Sequence, residues 1–432
     1  MVQIILGLLS TLIIHINGNT VTNPKAVLSC GLPGSTLHST VTFDTESIQT
    51  NTTTTYRCET GFHLIGPWRR ICLENGTWMP NAPPVCMKNV AFGKPASQSS
   101  TDAKRGPQNA VDGNEDTCTL TETEISPFLY VNLLETFPVE MVIVKFRRPC
   151  CENNISVTMT VRVGNRVHDL LSNPICNTYT GQMNEKDTYR FSCSLRKFPP
   201  VGAFVSVHLK TPIATSLSIC EIYVYTKQAL SVQYCPVFEE EPSTATIYLG
   251  KCYFFHSNHP KSLEDATKFC TLHGGRILHH TTSSGLAGFL LWEFYKRHKT
   301  NYEYWNGIIR DPVSKNWKLL EGKDPFSSWN IPPTGKSCSK FDHDVMMNKS
   351  QSDTECNRKL NFICEHRPIT CGMPKRPANS SIIMGSTVGS AIEYHCQPGH
   401  LLQGASKIAC LDIGLFSDVA PKCLYIECDF PA

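Results

Sequence analysis

The chain carries little charge and almost no imbalance of it. Of 432 residues, 18% are charged, and 40 basic against 37 acidic residues leave a formal net charge of +3. A nucleic-acid binder needs a basic surface that displaces counterions along a phosphate backbone, and this composition argues against one. Long hydrophobic runs are missing as well. Beyond the N-terminal segment no stretch approaches the roughly 20 apolar residues of a membrane-spanning helix, so the mature chain as given is expected to be soluble. There is no His-Glu-x-x-His, no Cys-x-x-Cys zinc pair, no P-loop and no Ser/His/Asp set around a nucleophile elbow, which leaves catalysis without support. His273, His279 and His280 lack the other ligands of a metal site and read as surface histidines.

Cysteine, by contrast, is abundant and odd in number, at 21. That is too sparse for one disulfide miniprotein and too rich for a reduced cytosolic chain, and the length predicts two to four domains. Several disulfide modules in series fit both. An apolar run over residues 4–16, followed by Asn17-Gly18-Asn19-Thr20, reads as a secretory signal peptide over residues 1–18. Five Asn-x-Ser/Thr sequons, at Asn51, Asn75, Asn154, Asn348 and Asn379, suit a secreted, surface-glycosylated protein.

The cysteines also repeat. Cys30, Cys58, Cys72 and Cys86 read C-x27-C-x13-C-x13-C, and Cys371, Cys396, Cys410 and Cys423 read C-x24-C-x13-C-x12-C. Tyr56-Arg57-Cys58-x-x-Gly61-Phe62-x-Leu64-x-Gly66 matches Tyr394-His395-Cys396-x-x-Gly399-His400-x-Leu402-x-Gly404. A unit this small needs bridges worth about 2–4 kcal/mol each to stand. Both copies, at 29–87 and 370–424, resemble the sushi (complement control) module. The resemblance implies the bridges Cys30–Cys72, Cys58–Cys86, Cys371–Cys410 and Cys396–Cys423, with Trp78 in the core position that Phe416 takes in the second copy. It also implies a small, elongated β module that serves as a spacer or a protein-binding surface.

Residues 88–228 contain Asn89-Val90-Ala91-Phe92-Gly93-Lys94-Pro95, then Asn109-Ala110-Val111-Asp112-Gly113-Asn114, and later β-branched runs at 141–146, 157–163, 204–209 and 220–225. Such runs, bounded by Gly, Pro and Asn, predict a β-sandwich or jelly roll. With the adjacent Cys150-Cys151 and the terminal Cys220-Glu221-Ile222-Tyr223-Val224-Tyr225, the segment resembles an F-type (fucose-binding) lectin domain. Residues 235–366 carry Cys252-Tyr253-Phe254, predicted helices over 263–272 and 286–297, Trp305-Asn306-Gly307-Ile308 and Phe362-Ile363-Cys364-Glu365, and resemble the α+β C-type lectin fold. That likeness implies Cys235–Cys252, Cys270–Cys364 and Cys338–Cys356, and Leu263 stands where the family's first helix usually has Trp.

The F-type resemblance implies a sugar pocket of one His, two basic residues and an Asp around the Cys150–Cys151 disulfide. Here those positions read Leu120, Arg147 and Pro149 before the pair, and Asn154 after it, so Arg147, Cys150 and Cys151 are what remains for sugar binding. Each charge-assisted bond to a hydroxyl is worth about 1.5–3 kcal/mol, and fucose affinity should be largely lost. The family's structural calcium carries over better, to Asn109, Asp112, Asn114, the Cys220 carbonyl and Glu221 beside an implied Cys118–Cys220 bridge, with Cys176–Cys193 as the remaining pair. Amides, carbonyls and carboxylates suit a hard ion; the alternative is a metal-free Asx-rich turn. In the C-type segment the region that should hold calcium reads Trp329-Asn330-Ile331-Pro332-Pro333-Thr334 and Gln351-Ser352-Asp353. Asp353 alone, even helped by Asp342 or Asp344, falls short of the 6–8 oxygens that calcium typically takes.

The order sushi, F-type lectin, C-type lectin, sushi is similar to the extracellular front of the furrowed family, selectin-like surface proteins associated with cell adhesion. A non-enzymatic recognition or adhesion protein is therefore expected, secreted or on the extracellular side of the cell surface, with an extracellular protein or glycan as partner. A calcium-dependent lectin of altered specificity and a complement-type regulator are the alternatives. Four, six, six and four cysteines close 20 positions and leave Cys428 over, which at 426–432 resembles the start of a truncated third sushi module; a free thiol or an intermolecular bridge is the other reading.

Overall fold

The computed structural model describes residues 29–102, 104–146, 155–183, 187–193, 198–238, 244–279, 284–298, 302–320, 335–342, 352–383 and 385–426. The N-terminal apolar run, the 147–154 segment with Arg147, Cys150, Cys151 and Asn154, His280, residues 329–334, residues 343–351 with Asp344 and Asn348, and Cys428 lie outside these residues.

In the first cysteine repeat the strands Ser39–Phe43, Thr53–Cys58, Arg69–Cys72 and Trp78–Met79 form one antiparallel sheet. Cys30 pairs with Cys72 and Cys58 with Cys86 around a small core in which Tyr56 and Trp78 are buried. Trp78 spends its one polar group on the Gly31 carbonyl, 3.2 Å away. The second repeat has the same plan, with Cys371–Cys410 and Cys396–Cys423 flanking a core of Ile392, Tyr394 and Ile408. So few buried apolar side chains cannot offset chain entropy alone, and the bridges supply the rest.

Two five-stranded sheets face each other in the next segment. One runs Ile175–Gly181, Val157–Gly164, Val201–Lys210, Phe128–Pro138, Ala96–Gln98, and the other Thr188–Ser192, Met141–Lys145, Glu221–Thr226, Val85–Asn89, His63–Ile65. Strict alternation does the sorting: Val157, Met159, Val161 and Val163 point inward and are at most 1% exposed, while the threonines between them remain half-exposed. Each such side chain contributes roughly 1.5–3 kcal/mol on burial. The second sheet does not respect the module border. Val85–Asn89 pairs with Glu221–Thr226 on one side and with His63–Ile65 of the first repeat on the other, so the sushi hairpin continues the lectin sheet.

The third segment folds around a mixed sheet with two helices. Leu263–Leu272 starts at Ser262, whose hydroxyl accepts from the Asp265 amide (3.2 Å), and Glu264 and Asp265 favour its positive end. Ser284–His298 buries Phe289, Leu290 and Phe294 against Tyr248, Tyr253 and Phe255, and closes on Lys296, Arg297 and His298. Cys235–Cys252, Cys270–Cys364 and Cys338–Cys356 pin the layers. His279 is not a surface residue: it is 8% exposed, beneath Gly307, whose positive φ and missing Cβ make room for it. His273 is half-buried, bonded to the Phe269 carbonyl at 2.8 Å.

Sequence-distant modules touch. The two sushi copies join at the bridge Ser35↔Arg376, with Ser35 N donating to Arg376 O at 2.8 Å and His38 N to Met373 O at 3.0 Å. Behind it Glu59 accepts from His38, from the Tyr234 hydroxyl and from the Met373 amide. Burial pushes the Glu59 carboxyl up, but these bonds prevail and hold it below its usual range. The spacer-like modules are thus packed against one another instead of standing apart.

Candidate functional site

The short helix Pro107–Ala110 sets up the first candidate corner by sinking Ala110 and Val111 into the sandwich and leaving the polar residues of the loop on its outer side. Gly113 turns with φ +78° against the Phe92 ring, where any Cβ would meet a ring carbon at 2.7 Å. Asp112 accepts from the Asn114 amide (2.8 Å) and the Thr117 hydroxyl (2.6 Å), and Asn109 donates through its Nδ2 to the Cys118 carbonyl (3.0 Å). Cys118 is bridged to Cys220, which delivers Glu221 to the same place.

Glu221 is the unusual group. It is fully buried, one oxygen accepts from the Gly113 amide at 3.2 Å, and the other, Oε1, has no hydrogen-bond partner among the described residues. Burial, and then repulsion from Asp112, pushes its carboxyl up to about 8, against the pull of the Gly113 amide. A cation placed between Asp112 and Glu221 would satisfy the orphan oxygen and cancel the repulsion, and the nearby amide and carbonyl oxygens are hard ligands of the kind calcium takes. The residues present therefore fit such an ion. Among the described residues no three His, Cys, Asp or Glu side chains converge; the corner has two carboxylates and otherwise neutral oxygens.

Register supplied neighbours that motif reading passed over. Lys145 lies directly across from Glu221, bonds Glu115, and sits 5.6 Å over the Tyr223 ring, whose hydroxyl donates to Glu115 at 2.7 Å. The bonds from Lys145 and Tyr223 hold the Glu115 carboxyl below its usual range. Lys145 and Tyr223 lie in strand runs visible in the sequence, but their closeness to Glu221 and Glu115 follows only from the fold. Of the pocket positions, Leu120 is described: a half-buried apolar side chain whose backbone pairs with Arg105 and Asp102.

The second corner lies in the C-type segment and is built differently. Asn306, 1% exposed, donates to the Ser339 hydroxyl at 2.6 Å, and Ser339 faces Asp353 in register. Lys340 binds Glu303 and, at 3.1 Å, Asp342, while Arg358 binds Glu303 at 2.8 Å. Burial raises the Glu303 carboxyl and these cations more than reverse it. The local acids already hold protein cations.

The Sushi repeat family matches residues 30–86 and 371–423, the Lectin C-type domain matches 259–366, and the NedA-like, galactose-binding domain matches 109–198. These are the modules of a lectin-bearing, disulfide-rich recognition protein of the extracellular kind. Fucolectin-6 of Anguilla japonica is 32% identical over 148 residues, covering 32% of this chain and 75% of that protein. Fucolectin of Anguilla anguilla is 30% identical over 149 residues, 90% of its length. Through this segment the chain belongs to the fucolectin family. Complement factor H of Mus musculus is 43% identical over 72 residues, 16% of this chain and 6% of that protein. Among solved structures, the lectin domain of lectinolysin complexed with Lewis B antigen is 25% identical, covering 32% of this chain and 95% of that one, with a TM-score of 0.25.

Proposed function

We propose that the protein is a non-enzymatic extracellular recognition or adhesion protein, secreted or held at the cell surface. In this reading the modules run over 29–87, 88–228, 235–366 and 370–424, and the F-type module carries a structural calcium on Asn109, Asp112, Asn114, Cys220 and Glu221. The observation that carries it is the contrast within the F-type module: the buried, orphaned Glu221 beside Asp112 suits an ion, whereas apolar Leu120 replaces a sugar-binding His. Calcium there would supply charge to Glu221 and order the Asn109 loop. The chain's own residues hold the loop against the Cys118–Cys220 bridge and leave the module's rim for a partner. Of the sugar-binding set the sequence retains Arg147, Cys150 and Cys151, with a sequon at Asn154.

The kinship with fucolectins favours a second reading, a calcium-dependent lectin of altered specificity working through Arg147, Cys150 and Cys151. A glycan array probed with the full chain, with and without chelator, separates the two. No specific glycan signal is expected; a signal lost both in Arg147→Ala and on chelation would replace the first reading with the second. The factor H likeness keeps a complement-type role as a third, and a failure to bind complement fragments on a sensor surface removes it.

A further inference from the structure

A chamber of about 1130 Å³ opens where the modules meet, somewhat above the roughly 300–1,000 Å³ of most ligand sites, which favour domain interfaces. His63 and Lys88 enter it from the sushi-extended sheet, Lys94 and Glu135 from the F-type segment, and Glu293 and Lys296 from the helix Ser284–His298. Its lining holds three lysines, Lys88, Lys94 and Lys296, and three glutamates, Glu135, Glu221 and Glu293, but they are not paired one to one. Glu293 is taken up twice, by Lys296 at 2.6 Å and by Arg297. Glu135 accepts from the Leu249 amide at 2.8 Å, and burial raises its carboxyl. Glu221 lines the chamber too, with one oxygen on the Gly113 amide, and in the calcium reading above its charge is taken up by the ion.

Against that single remaining carboxylate stand Lys88 and Lys94. Neither amine has an ion pair or hydrogen bond among the described residues; Lys88 lies 5.9 Å from the Phe62 ring centre. Burial, followed by the charge of Lys94, brings the Lys88 amine down to about 8. Burial also lowers Lys94, although Glu135 and Glu293 pull the other way. Two partly buried, mutually repelling ammonium groups facing one cavity are a cost that a bound anion removes.

We propose that this chamber binds an oxyanion, the carboxylate or sulfate group of an acidic saccharide or the free inorganic ion, between the amines of Lys88 and Lys94. Val90, Leu230 and Ile247 line the apolar part, which suits the C–H faces of a sugar better than a naked ion. Leu120 is not among the residues that line the chamber, so the site does not depend on that position of the fucolectin pocket.

The test is calorimetric titration of the full chain with sodium sulfate at constant ionic strength, and with sialyllactose against lactose. Sulfate or sialyllactose is expected to bind and lactose is not. If only sulfate binds, the source is the free ion; if sialyllactose binds at least tenfold more tightly, it is the saccharide. Lys88→Met and Lys94→Met should each weaken binding at least tenfold. Both variants keep the aliphatic stem and remove a buried charge, so the unliganded melting temperature should be unchanged or higher. No heat with either anion, equal binding of lactose, or unaltered binding in the double variant overturns the proposal.

Discussion

The two lectin-type segments keep their frameworks equally well and treat their acidic corners in opposite ways. In the F-type segment Asp112 raises the Glu221 carboxyl, neither acid has an ion pair among the described residues, and one oxygen of Glu221 has no hydrogen-bond partner there. In the C-type segment Glu303 and Asp342 are already joined by Lys340, with Arg358 added. A lysine built into a sheet neutralises its acids permanently, whereas an exchangeable ion would leave them responsive to its concentration. Disulfides and cores thus record ancestry, while the local charge balance records what chemistry is left.

The largest expected effect comes from breaking the F-type corner. If calcium sits there at about 100 times its dissociation constant it contributes about 2.7 kcal/mol, so chelation should lower the melting temperature of this module by about 5 °C or more. In Glu221→Gln, which removes the charge and keeps the shape, chelator should have no effect; scanning calorimetry with and without calcium reads both. The C-type transition should not move with calcium in either protein.

Next in size, Lys340→Met leaves Glu303 and Asp342 facing each other and should cost about 1–2 kcal/mol in urea denaturation. A cost indistinguishable from zero would mean that the lysine does not fill the corner energetically.

Acid should affect the two segments alike, in contrast to calcium. Burial depresses His208 in the F-type sheet and His366 in the C-type sheet to about 4, so both are neutral in the fold. An unfolded histidine titrates near 6.5, hence the unfolded state binds more protons below that pH, and stability falls as pH drops from 6.5 towards 4. His208→Gln should flatten the slope for one segment and His366→Phe for the other, read from urea midpoints across this range. The smallest effect is expected for Arg367→Ala, whose pair with Asp412 is exposed on both sides; a loss above about 0.5 kcal/mol would be surprising.

Much of this was legible from spacing alone. The cysteine intervals separated the sushi repeats, and the alternation over 157–163 marked an inward-facing strand. Asp112 and Glu221 could be matched by motif because each sits in a short local signature. Lys340 could not, since its significance depends on reaching Glu303 across 37 residues, and Lys145 matters only through its register with Glu221. His279 read as surface because the space it occupies is created by Gly307 on another strand. The burial of Lys88 and Lys94 comes from the packing of the modules around them and has no signature in the sequence.

The Ser35–Arg376 bridge joins two ends of a chain of domains, and that has a mechanical meaning. A tensile load applied between the first and second sushi modules would fall on this clasp, held by a few backbone hydrogen bonds and the Glu59 cluster, before it reached any disulfide-locked core. Asn379, a sequon residue, lies in the same seam: its Oδ1 occupies the space beside Gly31 and its amide meets His400 at 3.1 Å. A glycan added there would have to displace those contacts, so the sugar itself would set whether the head is folded back on itself or extended and compliant.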